Sequence, residues 1–415
     1  MIDLKELENT TVPGAVKKAL KELNEAVSTN EKSLELKLFK AAALLDEDSS
    51  LGELSISTNG NTEAAYDLTC INNPDVFRWN GHLNLYNYQG LGVQPDQVHK
   101  KGASTGENTA RGFDTVNVQV AVCTDAPEIT YRILNTGTDY CIKIEEQGEP
   151  AKFINKTPTE LSGGGYQSLN LVLGSRKRRI ITLCAPRGSG FVLQSVRATG
   201  ADTFWALPKS KKVAFIADSF GVGLNLNAGG QYWCDIVSDA FGWDNYLPSC
   251  VSGTGFINKS GSGFYNFIER LPQIITWNPE KVVVNISVND VSYTEDEVKT
   301  ATTNFIDTLS GALPNVEIII IGALGKNLAE YKALEEYAKS AIDESSYDNI
   351  KFIPVQTETT YMNGWINGSG SSTEPAGNGN ADIYLQADKL HPTKEGQIYL
   401  ASRIIQGMIT QGVRH

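Results

Sequence analysis

Lys281-Val282-Val283-Val284-Asn285-Ile286 and Val316-Glu317-Ile318-Ile319-Ile320-Ile321 are two nearly unbroken β-branched runs, and what lies around them decides the fold. A strand with one wet face alternates apolar and polar residues, whereas a continuous run needs cover on both faces. Helical periodicity fills 294–311 between the two runs and returns at 328–343 after the second. Lys212–Ala217 is a further apolar run with a helical stretch at Gln231–Phe241 behind it. Ile350–Pro354 is a short strand, and a last helix spans 393–410. Strands alternating with amphipathic helices predict a doubly wound parallel sheet, an α/β domain over residues 208–415.

Upstream the texture changes. Strand-like runs occur at Leu54–Ser57, Thr115–Val122, Ile129–Leu134, Tyr140–Glu145, Leu169–Leu173, Arg179–Cys184 and Gly190–Val196, broken by Asn-Gly, Thr-Gly and Gly-Gly-Gly clusters. Short strands with dense turn signals predict a β-sandwich or jelly roll over 51–207. Within it, 71–112 reads only as irregular β or loop, and Leu207–Lys212 reads as the linker. In the N-terminal segment 1–50, Val16, Leu20, Leu23, Val27, Asn30 and Leu34 form a heptad seam with one polar residue, a register-setting device in coiled coils. An oligomerising coil and an amphipathic helix packed on its own chain are both open readings.

The chain has 415 residues, 41% of them apolar, and a net charge of −12. That balance argues against a nucleic-acid partner, which would need a basic footprint, and against adsorption to an anionic membrane. No run reaches the roughly 18 apolar residues of a spanning helix, so no membrane insertion is expected. The start, Met1-Ile2-Asp3-Leu4-Lys5-Glu6, is polar and acidic, so the expectation is a chain without a secretory signal. Six cysteines without a CxxC pair predict buried free thiols, and no ligand-spaced cluster suggests a metal or another cofactor.

In an open α/β sheet, ligands sit beyond the carboxyl ends of the strands. Those ends deliver Asp218-Ser219, Ser252-Gly253-Thr254-Gly255, Ser287-Val288-Asn289-Asp290 and, before the last helix, Asp388-Lys389-Leu390-His391. A serine hydroxyl needs a base, the base needs a carboxylate to hold its tautomer, and the developing oxyanion needs preorganised donors. Ser219, His391 and Asp388 fill the first three roles. The N–H groups of Ser219 and Gly253 and the Asn289 amide fill the last, with Gly255 as the alternative glycine. Each piece alone has a plainer reading: a helix cap, a turn, the start of a helix. Their joint occurrence in order does not. Gly102-Ala103-Ser104-Thr105-Gly106 also fits G-x-S-x-G, yet it follows no buried strand and is set aside.

In these four ordered blocks, roughly residues 211–412, the sequence resembles the SGNH (GDSL-type) hydrolase superfamily. The resemblance implies a serine esterase with a Ser219, Asp388, His391 triad and an oxyanion hole of Ser219, Gly253 and Asn289. Two positions depart from the family pattern, Ala217 and Ser287, where it has glycine; the expectation there is tighter packing without loss of activity. A Gly/Asn/Ser-rich insertion, about Thr357 to Ala381, leads into the triad pair and is expected to border the site. Tyr361 and Trp365 within it are candidates for stacking on a sugar ring. A sandwich before such a domain resembles carbohydrate O-acetyl esterases. With the N-terminal seam added, it resembles phage tail fibre or tailspike deacetylases. The expectations are therefore an acetylated polysaccharide substrate, a homotrimer, and a virion or else cytoplasmic setting. The alternatives are a general esterase, lipase or thioesterase of the same family, or a non-catalytic glycan-binding virion protein.

Overall fold

The computed structural model describes residues 53–57, 66–69, 76–80, 84–87, 93–96, 119–134, 140–146, 151–156, 166–184, 192–199, 201–207, 211–223, 226, 231–261, 264–358 and 364–414. The heptad seam from Val16 to Leu34, the Gly102–Gly106 motif and Tyr361 lie outside them.

The α/β domain is built on a five-stranded parallel sheet: β1 (Lys212–Ala217), β2 (Asn245–Cys250), β3 (Lys281–Asn285), β4 (Glu317–Ile321) and β5 (Ile350–Ile353), in the order 2-1-3-4-5. Its helices are α1 (Ser219–Val222), α2 (Trp233–Phe241), α3 (Phe267–Trp277), α4 (Glu295–Ala312), α5 (Ala329–Asp343), α6 (Ala381–Tyr384) and α7 (Lys394–Thr410). Helices α2 and α7 pack on each other, while α3, α4 and α5 pack in series. The central strands β1, β3 and β4 are buried along their apolar runs, as unbroken Val and Ile stretches require. This strand order reverses direction between β1 and β3, and that switch point opens a crevice at the carboxyl ends.

Besides the one-turn helices α1 and α6, two elements of this domain escaped the sequence reading, each for a physical reason. β2 reads Asn-Tyr-Leu-Pro-Ser-Cys, and Pro248 breaks its apolar run; it survives because β2 is an edge strand. Helix α3 carries Pro272 in its interior, yet Asn266 and Glu269 form a reciprocal capping box at its start.

Before this domain lie two antiparallel sheets. One runs Glu53–Ser57, Tyr166–Val172, Glu128–Leu134, Val192–Ala198, Val93–Asp96, Asn84–Asn87, with Tyr66–Thr69 also paired to Val192–Ala198. The other runs Phe204–Trp205, Gln119–Thr124, Arg179–Cys184, Tyr140–Glu146, Lys152–Lys156, with Arg78–Asn80 beside Gln119–Thr124. Between them Val120, Ile129, Tyr131, Ile142, Leu171 and Ile181 form one buried cluster. The architecture is thus a β-sandwich ahead of a doubly wound α/β domain. The stretch 71–112, illegible beforehand, contributes three short strands, and Lys152–Lys156 was not anticipated. All five described cysteines are free and buried.

The sandwich is seated on the α/β domain rather than tethered to it. Cys141, Ala151, Phe153 and Cys184 join the core of the α/β domain itself. Around them Gln119 Nε2 donates to Asp235 Oδ1 at 3.1 Å, Lys143 Nζ to Asp239 Oδ1 at 2.6 Å, and Arg78 pairs with Asp244 at 3.3 Å. Burial pushes the Asp235 carboxyl up to about 7, against the bonds it accepts from Tyr246 Oη and the Tyr232 N–H. Its folded value lies above the ordinary 3.8, so the folded protein holds the extra proton between them and stability falls as pH rises from about 4 to about 7. Wild-type Tm is expected to drop by several degrees over that window relative to Asp235→Asn, which lacks the titration. A flat difference between the two melting curves would refute this.

Candidate active site

The nucleophile's position follows from local geometry. β1 ends at Ala217, Asp218 caps the next turn by accepting from the Phe220 N–H at 2.9 Å, and Ser219 opens α1. Gly221 lets this turn sit directly on the sheet, since a Cβ there would lie 2.6 Å from the Ala217 Cβ and 2.7 Å from the Cys250 Sγ. Gln397 of α7 fixes the turn from the other side, donating to the Phe220 carbonyl and accepting from the Trp233 N–H, both at 2.9 Å.

The base and its carboxylate share one tight loop. Leu385 and Pro392 bridge as a short antiparallel pair, and the Gln386 N–H donates to the His391 carbonyl at 2.8 Å. Within the loop Lys389 takes a left-handed conformation, φ 57°. Asp388 Oδ1 then accepts the N–H groups of Leu390 and His391 at 3.0 and 2.9 Å, an Asx-type turn. The other oxygen, Oδ2, lies 2.6 Å from His391 Nδ1, and His391 Nε2 lies 2.9 Å from Ser219 Oγ. Burial raises the Asp388 carboxyl, but the bonds from the His391 ring and the two backbone N–H groups outweigh it and hold it below its ordinary value. A carboxylate on Nδ1 keeps the proton there and leaves Nε2 free to accept from the serine.

The candidate oxyanion donors follow the ends of β1, β2 and β3. Gly253 has φ +73°, a left-handed conformation that suits glycine, and among the described residues no hydrogen bond uses its N–H. Gly255, the alternative, spends its N–H on the Asn258 carbonyl at 2.9 Å. The Ser219 N–H is likewise unused among the described residues. Asn289 lies in a single 3₁₀ turn, Val288–Asp290, after β3. Asp290 is not a turn residue only: its carboxylate gathers the N–H groups of Phe256, Ile257 and Asn258 at 2.7, 3.3 and 2.8 Å. Burial pushes that carboxyl up to about 6 despite those bonds.

Beneath the site, buried Arg270 of α3 donates to the Ser249 carbonyl at 2.5 Å and to Thr254 Oγ1 at 2.9 Å. Burial lowers this guanidinium to about 10, and among the described residues no carboxylate pairs with it. Sequence reasoning missed Arg270, Gln397 and the roles of Asp290 and Ser287. A polar side chain on an otherwise apolar helix face was the only signal for the first two.

The insertion meets the triad loop as expected: the Ser372 N–H donates to the Leu385 carbonyl at 2.8 Å, and Lys389 pairs with Glu374 at 3.1 Å. Trp365, however, is no exposed platform, and the sugar-stacking expectation for it is corrected. It is 3% exposed, the Arg403 guanidinium lies 5.4 Å over its ring, and its carbonyl accepts from Asn380 and Tyr399, both at 2.9 Å. An aromatic in a polar insertion reads as exposed only until the insertion folds back onto α7. Trp365→Ala should therefore cost about 3–5 kcal/mol of stability by denaturant titration. A raised KM with unchanged stability would restore the ligand reading.

A serine, imidazole and carboxylate joined in series at the switch point of a parallel sheet define a serine hydrolase of the α/β class. The family model for GDSL-like lipases and acylhydrolases matches residues 210–404, so the α/β domain is a GDSL-like (SGNH) hydrolase domain and the protein carries a serine ester hydrolase. No protein of curated function matches the chain significantly by sequence. Among solved structures, a family two carbohydrate esterase from Clostridium thermocellum, in complex with cellohexaose, is 15% identical with TM-score 0.55, covering 81% of this chain and 99% of that one. An acetyl xylan esterase from the rumen bacterium Butyrivibrio proteoclasticus is 12% identical with TM-score 0.52, covering 87% and 98%. A salicylyl-acyltransferase from a tetracycline biosynthetic pathway is 14% identical with TM-score 0.56, covering 81% and 96%. Overlaps of that length take in the sandwich as well as the hydrolase domain. At such identities they show a shared fold.

Proposed function

We propose that the protein is a serine O-acetyl esterase acting on acetylated polysaccharide. The observation that carries the chemistry is the hydrogen-bonded series Asp388, His391, Ser219, with the N–H groups of Ser219 and Gly253 unused among the described residues. His391 Nε2 takes the Ser219 proton as Oγ attacks the acetyl carbonyl. The tetrahedral oxyanion is held by the two N–H groups and the Asn289 amide. The C–O bond to the sugar then breaks and His391 protonates the departing sugar oxygen. Water, deprotonated by the same imidazole, attacks the acetyl-serine, and acetate leaves with Ser219 restored. Support for an acetylated glycan comes from the neighbours, a carbohydrate esterase in complex with cellohexaose and an acetyl xylan esterase, whose folds overlap 81% and 87% of this chain.

The test is acetate release from a panel of acetylated polysaccharides, beside a para-nitrophenyl ester chain-length series, for wild type and Ser219→Ala. The expected result is serine-dependent acetate release with acetyl preferred over longer chains. Turnover of long acyl chains alone would replace this reading with a lipid esterase or thioesterase. Binding without turnover would leave a glycan-binding protein. We also propose a homotrimer in a phage-tail setting, supported by the heptad seam from Val16 to Leu34. A monomeric native mass by light scattering would refute the trimer.

A further inference from the structure

Ser287 stands where the family pattern has glycine, and its hydroxyl is the most heavily used polar atom in the site. The side chain is fully buried. Its Oγ lies 2.7 Å from Asp218 Oδ2, 2.8 Å from the Thr254 carbonyl, 2.9 Å from Asn289 Nδ2 and 3.2 Å from the Asn289 N–H nitrogen. Asn289 Nδ2 also lies 3.2 Å from the Thr254 carbonyl. A hydroxyl has one proton and two lone pairs. The two Asn289 donors fill the lone pairs, so the proton has two rival acceptors, and a carboxylate outbids a neutral carbonyl. Asn289 Nδ2 carries two hydrogens and lies within reach of Ser287 Oγ and the Thr254 carbonyl, so to serve an oxyanion one of them must leave the longer contact, to Thr254, while Ser287 keeps the other.

This one oxygen therefore ties together three separate strand ends. Asp218 immediately precedes the nucleophile, Thr254 immediately follows Gly253, and Asn289 supplies the side-chain donor. Thr254 is held from its other side by Arg270 through Oγ1. Glycine at 287 has no atom that could make any of these bonds.

We infer that Ser287 is a positioning residue for the oxyanion hole: its hydroxyl sets the roll of the Asn289 amide and its distance from the Gly253 loop. The inference rests on the proposed roles of Ser219 and Asn289. Its action falls on the transition state, because the oxyanion exists only there, so kcat should respond and KM should not.

The test compares wild type, Ser287→Ala, Asn289→Ala and the double variant on para-nitrophenyl acetate, with methylboronic acid as a tetrahedral probe on Ser219. Ser287→Ala is expected to lower kcat about 10- to 50-fold with KM within twofold, and to weaken the boronate by a similar factor. In the Asn289→Ala background the same change should cost less than threefold, because the group it positions is gone. A kcat and boronate affinity within twofold of wild type, a loss confined to KM, or full additivity in the cycle would each overturn the proposal. If Ser287→Ala fails to fold, Ser287→Cys, nearly isosteric and a weak hydrogen bonder, carries the same expectations. Turnover that survives Ser219→Ala would instead overturn the serine reading on which the inference rests.

Discussion

Ser219→Ala is expected to lower kcat for ester hydrolysis by about 10⁴- to 10⁶-fold, leaving only what the oxyanion donors and binding supply without a nucleophile. The hydroxyl is the sole atom removed, and it contacts the His391 ring at 2.9 Å from a buried turn that Asp218, Gly221 and Gln397 hold in place. Those supports do not involve Oγ, so Tm should move by no more than a few degrees. Mass spectrometry after brief exposure to para-nitrophenyl acetate should find an acetyl adduct on Ser219 in wild type and none in the variant. Residual activity above about one per cent of wild type, beyond contamination, would mean another group attacks the ester.

Asp388→Asn is expected to cost about 10³- to 10⁴-fold in kcat, and more than Asp388→Ala. The reason is the division of labour between the two carboxylate oxygens. Oδ1 accepts two backbone N–H groups, from Leu390 and His391, and only an oxygen can serve them. An asparagine must therefore place its carbonyl there and turn its NH₂ toward His391 Nδ1. That ring nitrogen is then forced to accept, the proton moves to Nε2, and the imidazole can no longer take the Ser219 proton. Alanine leaves Nδ1 to water, which can accept from it; Asp388 has 38% of its side chain exposed, so water has access. A loss of about 10²-fold is expected for that variant. Equal losses for the two variants, or a milder asparagine, would contradict the tautomer argument.

The hydrolase half was legible because its signals are local and redundant. Lys281–Ile286 and Val316–Ile321 leave no wet face, so the sheet between helices follows from the residues themselves. The Asp388 to His391 spacing lies within one turn, where chain connectivity alone brings the groups together. Signals that depended on partners far away in sequence were not readable. Asn245–Cys250 is a strand because β1 pairs with it, although its own residues argue against one. Trp365 was misplaced because polarity of its neighbours said surface, whereas α7 and Arg403 made it core.

Ser287 shows the division most plainly. As a residue it is a small substitute for glycine, and packing was all that could be expected of it. Its four polar contacts join loops that follow β1, β2 and β3, which stand beside one another only in the assembled sheet. The sequence by itself determined most strands and helices of the hydrolase domain and which side chains reach the carboxyl edge, because hydrophobic period and turn chemistry act over a few residues. The tertiary structure alone decided which N–H groups stay unused, which carboxylate oxygen serves which donor, and how the sandwich seats on the hydrolase. Those outcomes depend on distances between strand ends that no spacing along the chain encodes.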